Sequence, residues 1–407
     1  MSLNPPSQPR RHPNASPSLV FLPDELIVEV LSFLPVQSLI RLKCVSKSWK
    51  YLISEPSFVK LHLKRTKQDA VRKFVSYNMW SIVSRNMSST NCMVVTFTVF
   101  RLLENPPIII NLSKYPYYRL KEKDCFHIVG SCNGLLCLFG GTGNREDTGG
   151  YRENWLRFWN PATRTISEKL DGDDGLGFPF NFTFGYDNST ETYKVVYFTP
   201  KTTNVRVFSL GNNVWRDIQN SPVVHHHHHQ YRKMSVVHLS SSVNWLAIHN
   251  YIRDDYYCKD IAIEQFMIIS LDLGTETHAK FRPPHSFVEV PFVIPNLSML
   301  KDCLCFSHDF KQTHFIIWQM KQFGVQESWT RLFKISYQNL QIDHPFNYLC
   351  LLPLCLLEKK DTLLLMRNDF VERRPILYNL RDKRAKKINI PWSANVHDYV
   401  ESLISYV

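Results

Sequence analysis

Residues 22–53, Leu22-Pro-Asp-Glu-Leu-Ile-Val-Glu-Val-Leu-Ser-Phe-Leu-Pro-Val-Gln-Ser-Leu-Ile-Arg-Leu-Lys-Cys-Val-Ser-Lys-Ser-Trp-Lys-Tyr-Leu-Ile53, read as three short helices. They carry more apolar surface than a segment of this size buries on itself, so part of it must meet another surface. Pro23 suits a first helical turn, and Asp24 and Glu25 place negative charge at the positive end of the helix dipole. Leu26, Ile27, Val30, Leu31 and Leu34 then form a broad apolar stripe, with Leu22 just outside the helix as a staple. Pro35 is expected to end this helix. Ser38 is expected to cap a second helix running through Val45, with Leu39, Leu42 and Val45 on one face, and Ser46 a third carrying Trp49, Leu52 and Ile53. Pro56 opens a fourth, with Phe58, Val59, Leu61 and Leu63.

The order and spacing of Leu22-Pro23, Glu25-Leu26, Leu34-Pro35, Leu39, Arg41, Val45, Lys47, Trp49 and Leu52-Ile53 resemble the F-box, a family of small helical modules. The resemblance implies docking on a Skp adaptor, which joins the module to a cullin and a RING protein in an SCF-type ubiquitin ligase. Carried over position by position, it assigns Leu22, Pro23, Leu26, Ile27, Leu34, Pro35, Leu39, Val45 and Trp49 to adaptor binding and its supporting core. The alternative is an amphipathic helical hairpin inside a larger core.

The chain has 407 residues, 44% hydrophobic and 13% aromatic, ample for two or three folded domains. The richest apolar run, Tyr348–Leu357, is about half a membrane span and contains Pro353, so no membrane association is expected. The polar, Pro-rich opening reads as a disordered tail over 1–18 without a signal-peptide pattern, and ten cysteines lack a Cys-x-x-Cys pair. Reduced thiols and a cytoplasmic or nuclear location, or both, are the expectation. Cys303-x-Cys305, the closest pair, suits a strand better than a metal site.

The net charge of +12 raises nucleic-acid binding as a question, but the excess is diffuse. Its one dense block, Arg381-Asp-Lys-Arg-Ala-Lys-Lys387, sits between strand-like runs Pro375–Leu380 and Lys387–Ile390, so a solvated hairpin turn accounts for it without nucleic acid.

From about residue 90 the period changes. Short runs rich in Val, Ile, Phe, Tyr and Trp alternate with Asn, Asp, Gly and Pro clusters, the pattern of antiparallel strands. They recur in units of roughly 40–50 residues, which suggests about six blades around an axis. Gly130-Ser-Cys-Asn-Gly-Leu-Leu-Cys137, Trp159-Asn-Pro-Ala-Thr163, Phe184-Gly-Tyr-Asp187, Tyr193-Lys-Val-Val196 and Tyr399-Val-Glu-Ser-Leu403 are similar to the F-box-associated domain of a large plant family, related in style to kelch propellers. These motifs have local physical roles. Asn133-Gly134 is a strong two-residue hairpin signal, Asn160-Pro161 starts a turn, and Gly185-Tyr-Asp187 opens a loop. Tyr399–Val407 is expected to pair with an early strand and close the ring.

The expected fold is therefore α+β multidomain. A disordered tail (1–18) precedes a three- to four-helix F-box (19–66), a linker (67–89) and a mostly antiparallel, all-β, propeller-like domain (90–407). No catalytic residues, metal ligands or cofactors are expected. His225–His229 is a tract of a kind that binds nickel or zinc in vitro and reads equally as tolerated low complexity, with no ligands held in fixed geometry and its role left open, and Asp171-Gly-Asp-Asp-Gly175 lacks the Glu of a calcium loop. No nucleophile elbow, phosphate loop or dinucleotide fingerprint occurs. The expectation is a non-catalytic receptor subunit that captures an unidentified target protein for ubiquitination. An F-box adaptor or scaffold without a degradative role, and an enzyme or lectin built on the propeller, are the alternatives. Target-binding residues are unassigned. Insertions at Gly140–Asn154, Asp171–Phe180, His225–Arg232 and Arg253–Asp260, with Tyr231, Arg232, Arg253, Tyr256 and Tyr257, are the places to look.

Overall fold

The computed structural model describes residues 23–68, 73–84, 87–98, 117–119, 125–144, 151–171, 181–199, 202–223, 236–249, 261–342, 349–368, 373–388 and 395–406. The sequence motifs at 1–18, Leu22, Tyr231, Arg232, His225–His229 and Arg253–Asp260 lie outside these residues.

The described residues begin with four helices: α1 (Asp24–Leu31), α2 (Val36–Leu42), α3 (Lys47–Ser54) and α4 (Pro56–Gln68). Two local expectations need correction. α1 ends at Leu31, three residues before the Leu34-Pro35 break: the amides of Phe33 and Leu34 bond to the carbonyls of Val30 and Leu31 in tighter i→i−3 turns, and Ser32 Oγ donates to the carbonyl of Glu29 at 2.8 Å. α2 starts at Val36 and ends at Leu42, so Ser38 lies inside its first turn and Val45 beyond its last. Extended Pro35 (φ −58°, ψ 147°) offers its carbonyl to the amides of Ser38 and Leu39, and this backbone start needs no side-chain cap. The third helix begins as expected, with Ser46 Oγ accepting from the Trp49 amide at 3.1 Å.

Among the described residues six antiparallel sheets follow, five of four strands and one of five. Blade 1 joins Lys73–Ser84, Met87–Thr98 and Tyr117–Arg119 to Asn395–Tyr399. Blade 2 comprises Cys125–Cys132, Leu135–Asn144, Tyr151–Asn160 and Thr165–Ile166, with Leu170–Asp171 also pairing its third strand. Blade 3 is Phe182–Asp187, Thr192–Phe198, Val205–Ser209 and Val214–Asp217, and blade 4 is Val236–Leu239, Ser242–Ile248, Phe266–Asp272 and His278–Phe281. Asn296–Leu300, Cys303–Phe310, His314–Met320 and Trp329–Ser336 make blade 5. Leu351–Leu357, Thr362–Asn368, Arg373–Asn379 and Arg384–Lys387 make blade 6.

The core lies between blades. Tyr193, Val195 and Tyr197 pack in a cluster with blade 2, while the alternating Val196 and Phe198 of the same strand pack against blade 4. Further clusters join blades 4 and 5 and blades 5 and 6. Each sheet thus needs two apolar faces, which is why its strands read as nearly continuous Val, Ile, Leu and Phe runs.

The 67–89 segment is no free linker. It holds the end of α4, a whole strand of blade 1 and the start of the next. The closing strand is Asn395–Tyr399, in register from Lys73↔Tyr399 to Tyr77↔Asn395, with only Tyr399 shared with the segment expected to pair. Residues 400–406 continue without strand structure. Most of the insertion expected at Gly140–Asn154 is paired strand, with Gly141 opposite Asn154 and Asn144 opposite Tyr151. The basic block forms a turn and blade 6's outer strand, Arg384–Lys387.

Turn chemistry repeats. Asn-Pro-Ala-Thr-Arg-Thr165, Asp-Asn-Ser-Thr-Glu-Thr192 and Asp-Leu-Gly-Thr-Glu-Thr277 each place a side-chain oxygen of the first residue on an amide two residues ahead, at 2.9 Å in all three. The two threonine hydroxyls of each turn meet at 2.6–2.8 Å. The residue between them takes positive φ: Arg164 62°, Glu191 54° and Glu276 57°. Asn133 (φ 53°) and Gly134 (φ 85°) form the expected two-residue hairpin.

Candidate functional site

The apolar stripe of α1 is two stripes. Ile27, Val28, Leu31 and Leu34 pack into the helical module's own core with Val36, Leu39, Ile53 and Phe58. Leu26, Val30 and Phe33, spaced i, i+4 and i+7, look the other way and are 52%, 64% and 68% exposed. Val45 and Tyr51 are exposed too, so five of the nine large exposed hydrophobic side chains among the described residues fall between positions 26 and 51. Such concentration in one small module marks a surface for another protein.

The structure divides the expected adaptor-binding residues accordingly. Pro23, Leu26, Pro35 and Val45 are exposed. Leu39 is fully buried, and Ile27, Leu34 and Trp49 are partly buried against the core, where they support the surface rather than form it. Val30, Phe33 and Tyr51 share the exposed surface and were not among the residues expected there. The first two were legible as the continuation of Leu26 at helical spacing; nothing local distinguishes Tyr51.

The last turns of α4 hold the corner between α1 and α2. The Arg65 guanidinium donates to the carbonyl of Glu29 at 2.9 Å, to Glu29 Oε2 at 2.6 Å and to Ser32 Oγ, and lies 4.2 Å from the centre of the Phe33 ring. His62, 2% exposed, donates from Nε2 to the carbonyl of Leu34 at 2.9 Å. Burial lowers its pKa, which favours the neutral ring.

The helices meet one end of the propeller. In a four-stranded meander the first-to-second and third-to-fourth turns share one end, and all other connections share the opposite end. Ala162, in a third-to-fourth turn, packs against the helical core, and Lys60 pairs at 2.5 Å with Glu191 in a first-to-second turn. The connections that contain 145–150, 172–180, 224–235 and 250–260 therefore start and finish at the end away from the helices. That end also bears a cleft of about 370 Å³ bordered by Glu289, Pro291, Phe292, Asp309, Phe310 and Lys311. Asp309 accepts from the Tyr337 hydroxyl at 2.6 Å, and burial raises its pKa. The Phe310 ring carries the Lys311 and Lys334 ammoniums at 5.5 and 5.1 Å.

Other perturbed groups serve the fold. Burial pushes the thiols of Cys132 and Cys305 up to about 12, keeping them protonated and poorly nucleophilic. Lys194 bridges Asp187 at 3.0 Å and Glu276 at 3.2 Å, and Arg216 also bonds Glu276, so blades 3 and 4 are tied by an ionic network on the helix-bearing end. Burial alone would raise the Asp187 carboxyl, but donors from Thr190, Ser189 and Lys194 outweigh it and hold it well below the ordinary range. Among the described residues no three His, Cys, Asp or Glu side chains gather as a metal site, and no helix is long and apolar enough to cross a membrane.

Comparison with known proteins agrees with this architecture. Residues 19–61 match the F-box domain family and residues 85–407 the F-box associated beta propeller domain family. An F-box/kelch-repeat protein of Arabidopsis thaliana is 26% identical over 323 residues, covering 77% of this chain and 79% of that protein. F-box protein CPR1, also of Arabidopsis thaliana, is 23% identical over 412 residues, covering 94% and 88%. TolB from Acinetobacter baumannii superposes at 7% identity with a TM-score of 0.41 over 84% of this chain and 72% of that one, too loose a likeness to add to the strand pairing. The chain belongs to the F-box proteins whose second domain is the F-box-associated β-propeller.

Proposed function

We propose that this chain is the target-recognition subunit of an SCF-type ubiquitin ligase. The outward stripe of Leu26, Val30 and Phe33, with Val45 and Tyr51, docks on a Skp adaptor, and the adaptor links the chain to a cullin and a RING protein. The propeller displays its far end to a target protein in the cytoplasm, the nucleus or both. The chain itself performs no bond chemistry. It acts by proximity, holding a target lysine near activated ubiquitin so that a rare encounter becomes effectively intramolecular.

The observation that carries this reading is the exposure of Leu26, Val30 and Phe33 on a module whose other apolar stripe is already satisfied. Burying three such side chains stabilises a complex by several kcal/mol at about 25 cal/mol per Å², before the cost of association. The test is co-purification of the full chain with a Skp adaptor, beside Leu26→Asp and Phe33→Asp. Each substitution places a charge on a surface that is solvated in the free chain, so folding should survive while the complex is lost. Failure of the wild-type chain to bind any adaptor tried, or equal binding by both variants, would refute the docking reading.

A further inference from the structure

The helical core is not closed by the helices alone. Leu403, near the other end of the chain, is 7% exposed and belongs to the cluster of Leu31, Val36, Leu39, Ile53 and Phe58. We propose that the propeller's C-terminal tail completes the F-box, making Leu403 and Asn160 positioning residues for adaptor docking and tying the docking face to closure of the ring. The docking part of this inference rests on the function proposed above; the structural coupling does not.

Asn160 is fully buried and uses both ends of its amide. Its Oδ1 accepts from the amides of Ala162 and Thr163 at 2.9 and 3.3 Å, which shapes the turn bearing Ala162. Its Nδ2 donates to the carbonyls of Ser402 and Ile404 at 3.0 and 2.8 Å, one on each side of Leu403. Gripping the carbonyls on either side of a residue constrains it, and Leu403 enters the helical cluster from that grip. Ser402 is fully buried above Gly134, where an added Cβ would lie 2.3 Å from Ser402 Oγ and 2.5 Å from the carbonyl of Val400. The tail is thus held by two turns of blade 2.

Chain connectivity turns this contact into coupling. The tail leaves directly from Asn395–Tyr399, which pairs with Lys73–Tyr77, and that strand follows the end of α4 by four residues. Blade 1, the tail and α4 therefore form a closed path through the helical core. α1 has eight residues, too few to be stable alone, so the attitude of its outward stripe depends on the core beneath its inward one. The exposed Lys60–Glu191 pair adds little.

Hydrogen exchange by mass spectrometry on the full chain, with affinity for a Skp adaptor as a second readout, tests the proposal. Leu403→Ala should speed exchange in α1 and α2 by about tenfold or more, and leave blades 4 and 5 unchanged. Asn160→Asp keeps an oxygen for the turn but presents a second oxygen to the carbonyls of Ser402 and Ile404, and should do the same. Leu403→Val, losing one methylene, gives a smaller effect of the same pattern and covers the case in which the larger changes prevent folding. Adaptor affinity should fall several-fold with Leu26, Val30 and Phe33 untouched, because the competent state is less populated. Exchange in α1 and α2 within threefold of wild type in all folded variants would overturn the proposal, as would acceleration confined to the propeller. If wild type binds no adaptor, the docking reading fails while the exchange pattern still decides the coupling.

Discussion

Acidification should weaken blade 5 through one buried histidine. His308 is 4% exposed, with the rings of Phe287 and Phe306 at 5.0 and 5.8 Å. The Trp318 indole donates to Nε2 at 3.2 Å, which makes Nε2 the acceptor and assigns the proton to Nδ1, donated to the carbonyl of Asp309 at 2.8 Å. A second proton on Nε2 would face the indole N–H, and burial already lowers the pKa from 6.5 to about 4. Below the unfolded value the unfolded chain binds a proton that the folded chain refuses. The contribution is therefore complete above pH 6.5 and is lost as pH falls from 6.5 towards 4. At about 1.4 kcal/mol per pH unit, the interval corresponds to about 3 kcal/mol. His308→Gln keeps a polar side chain but does not titrate. Urea denaturation and amide exchange in blade 5 at about pH 7.5 and about pH 4 should show the wild-type advantage over this variant shrinking by about 3 kcal/mol on acidification. A difference that moves by less than about 0.5 kcal/mol would refute the assignment of a neutral, desolvated imidazole.

Two further perturbations test other parts of the fold. Gly134→Ala adds a methyl at φ 85° and against Ser402 and Val400, so a loss of roughly 2–4 kcal/mol in chemical denaturation is expected, whereas Asn133→Gly should be near neutral. Asp187→Asn leaves buried Lys194 with Glu276 as its remaining carboxylate and should cost about 3 kcal/mol near neutral pH. Because the folded pKa of Asp187 is depressed, its contribution is present above the unfolded value of 3.8 and is lost as pH falls through the lower folded value, so wild type and variant should converge in strong acid.

Much of the architecture was legible because it follows from local chemistry. Proline and serine helix starts at Pro23, Ser46 and Pro56, the Asn133-Gly134 hairpin and the Asn160 turn each depend on a few neighbouring atoms. Apolar runs separated by turn residues led to blades of the observed number. Ser38 misled because a side-chain cap and a backbone start from proline look alike in sequence. The boundary at 67–89 misled because a first blade that borrows a strand from the far end gives no complete local repeat.

For this protein, order and spacing of residues determine two domains, the places where helices and turns begin, and family membership, since propensities, dihedral limits and short-range hydrogen bonds act within a few positions. They leave open which apolar side chains are covered. Leu26 and Ile27 are neighbours of similar hydrophobicity, yet one faces water and the other the core, because a helix turns by 100° between them and burial depends on what stands opposite. The partners standing opposite come from Phe58 nearby and from Leu403 at the far end of the chain, a pairing that only the closed ring brings about.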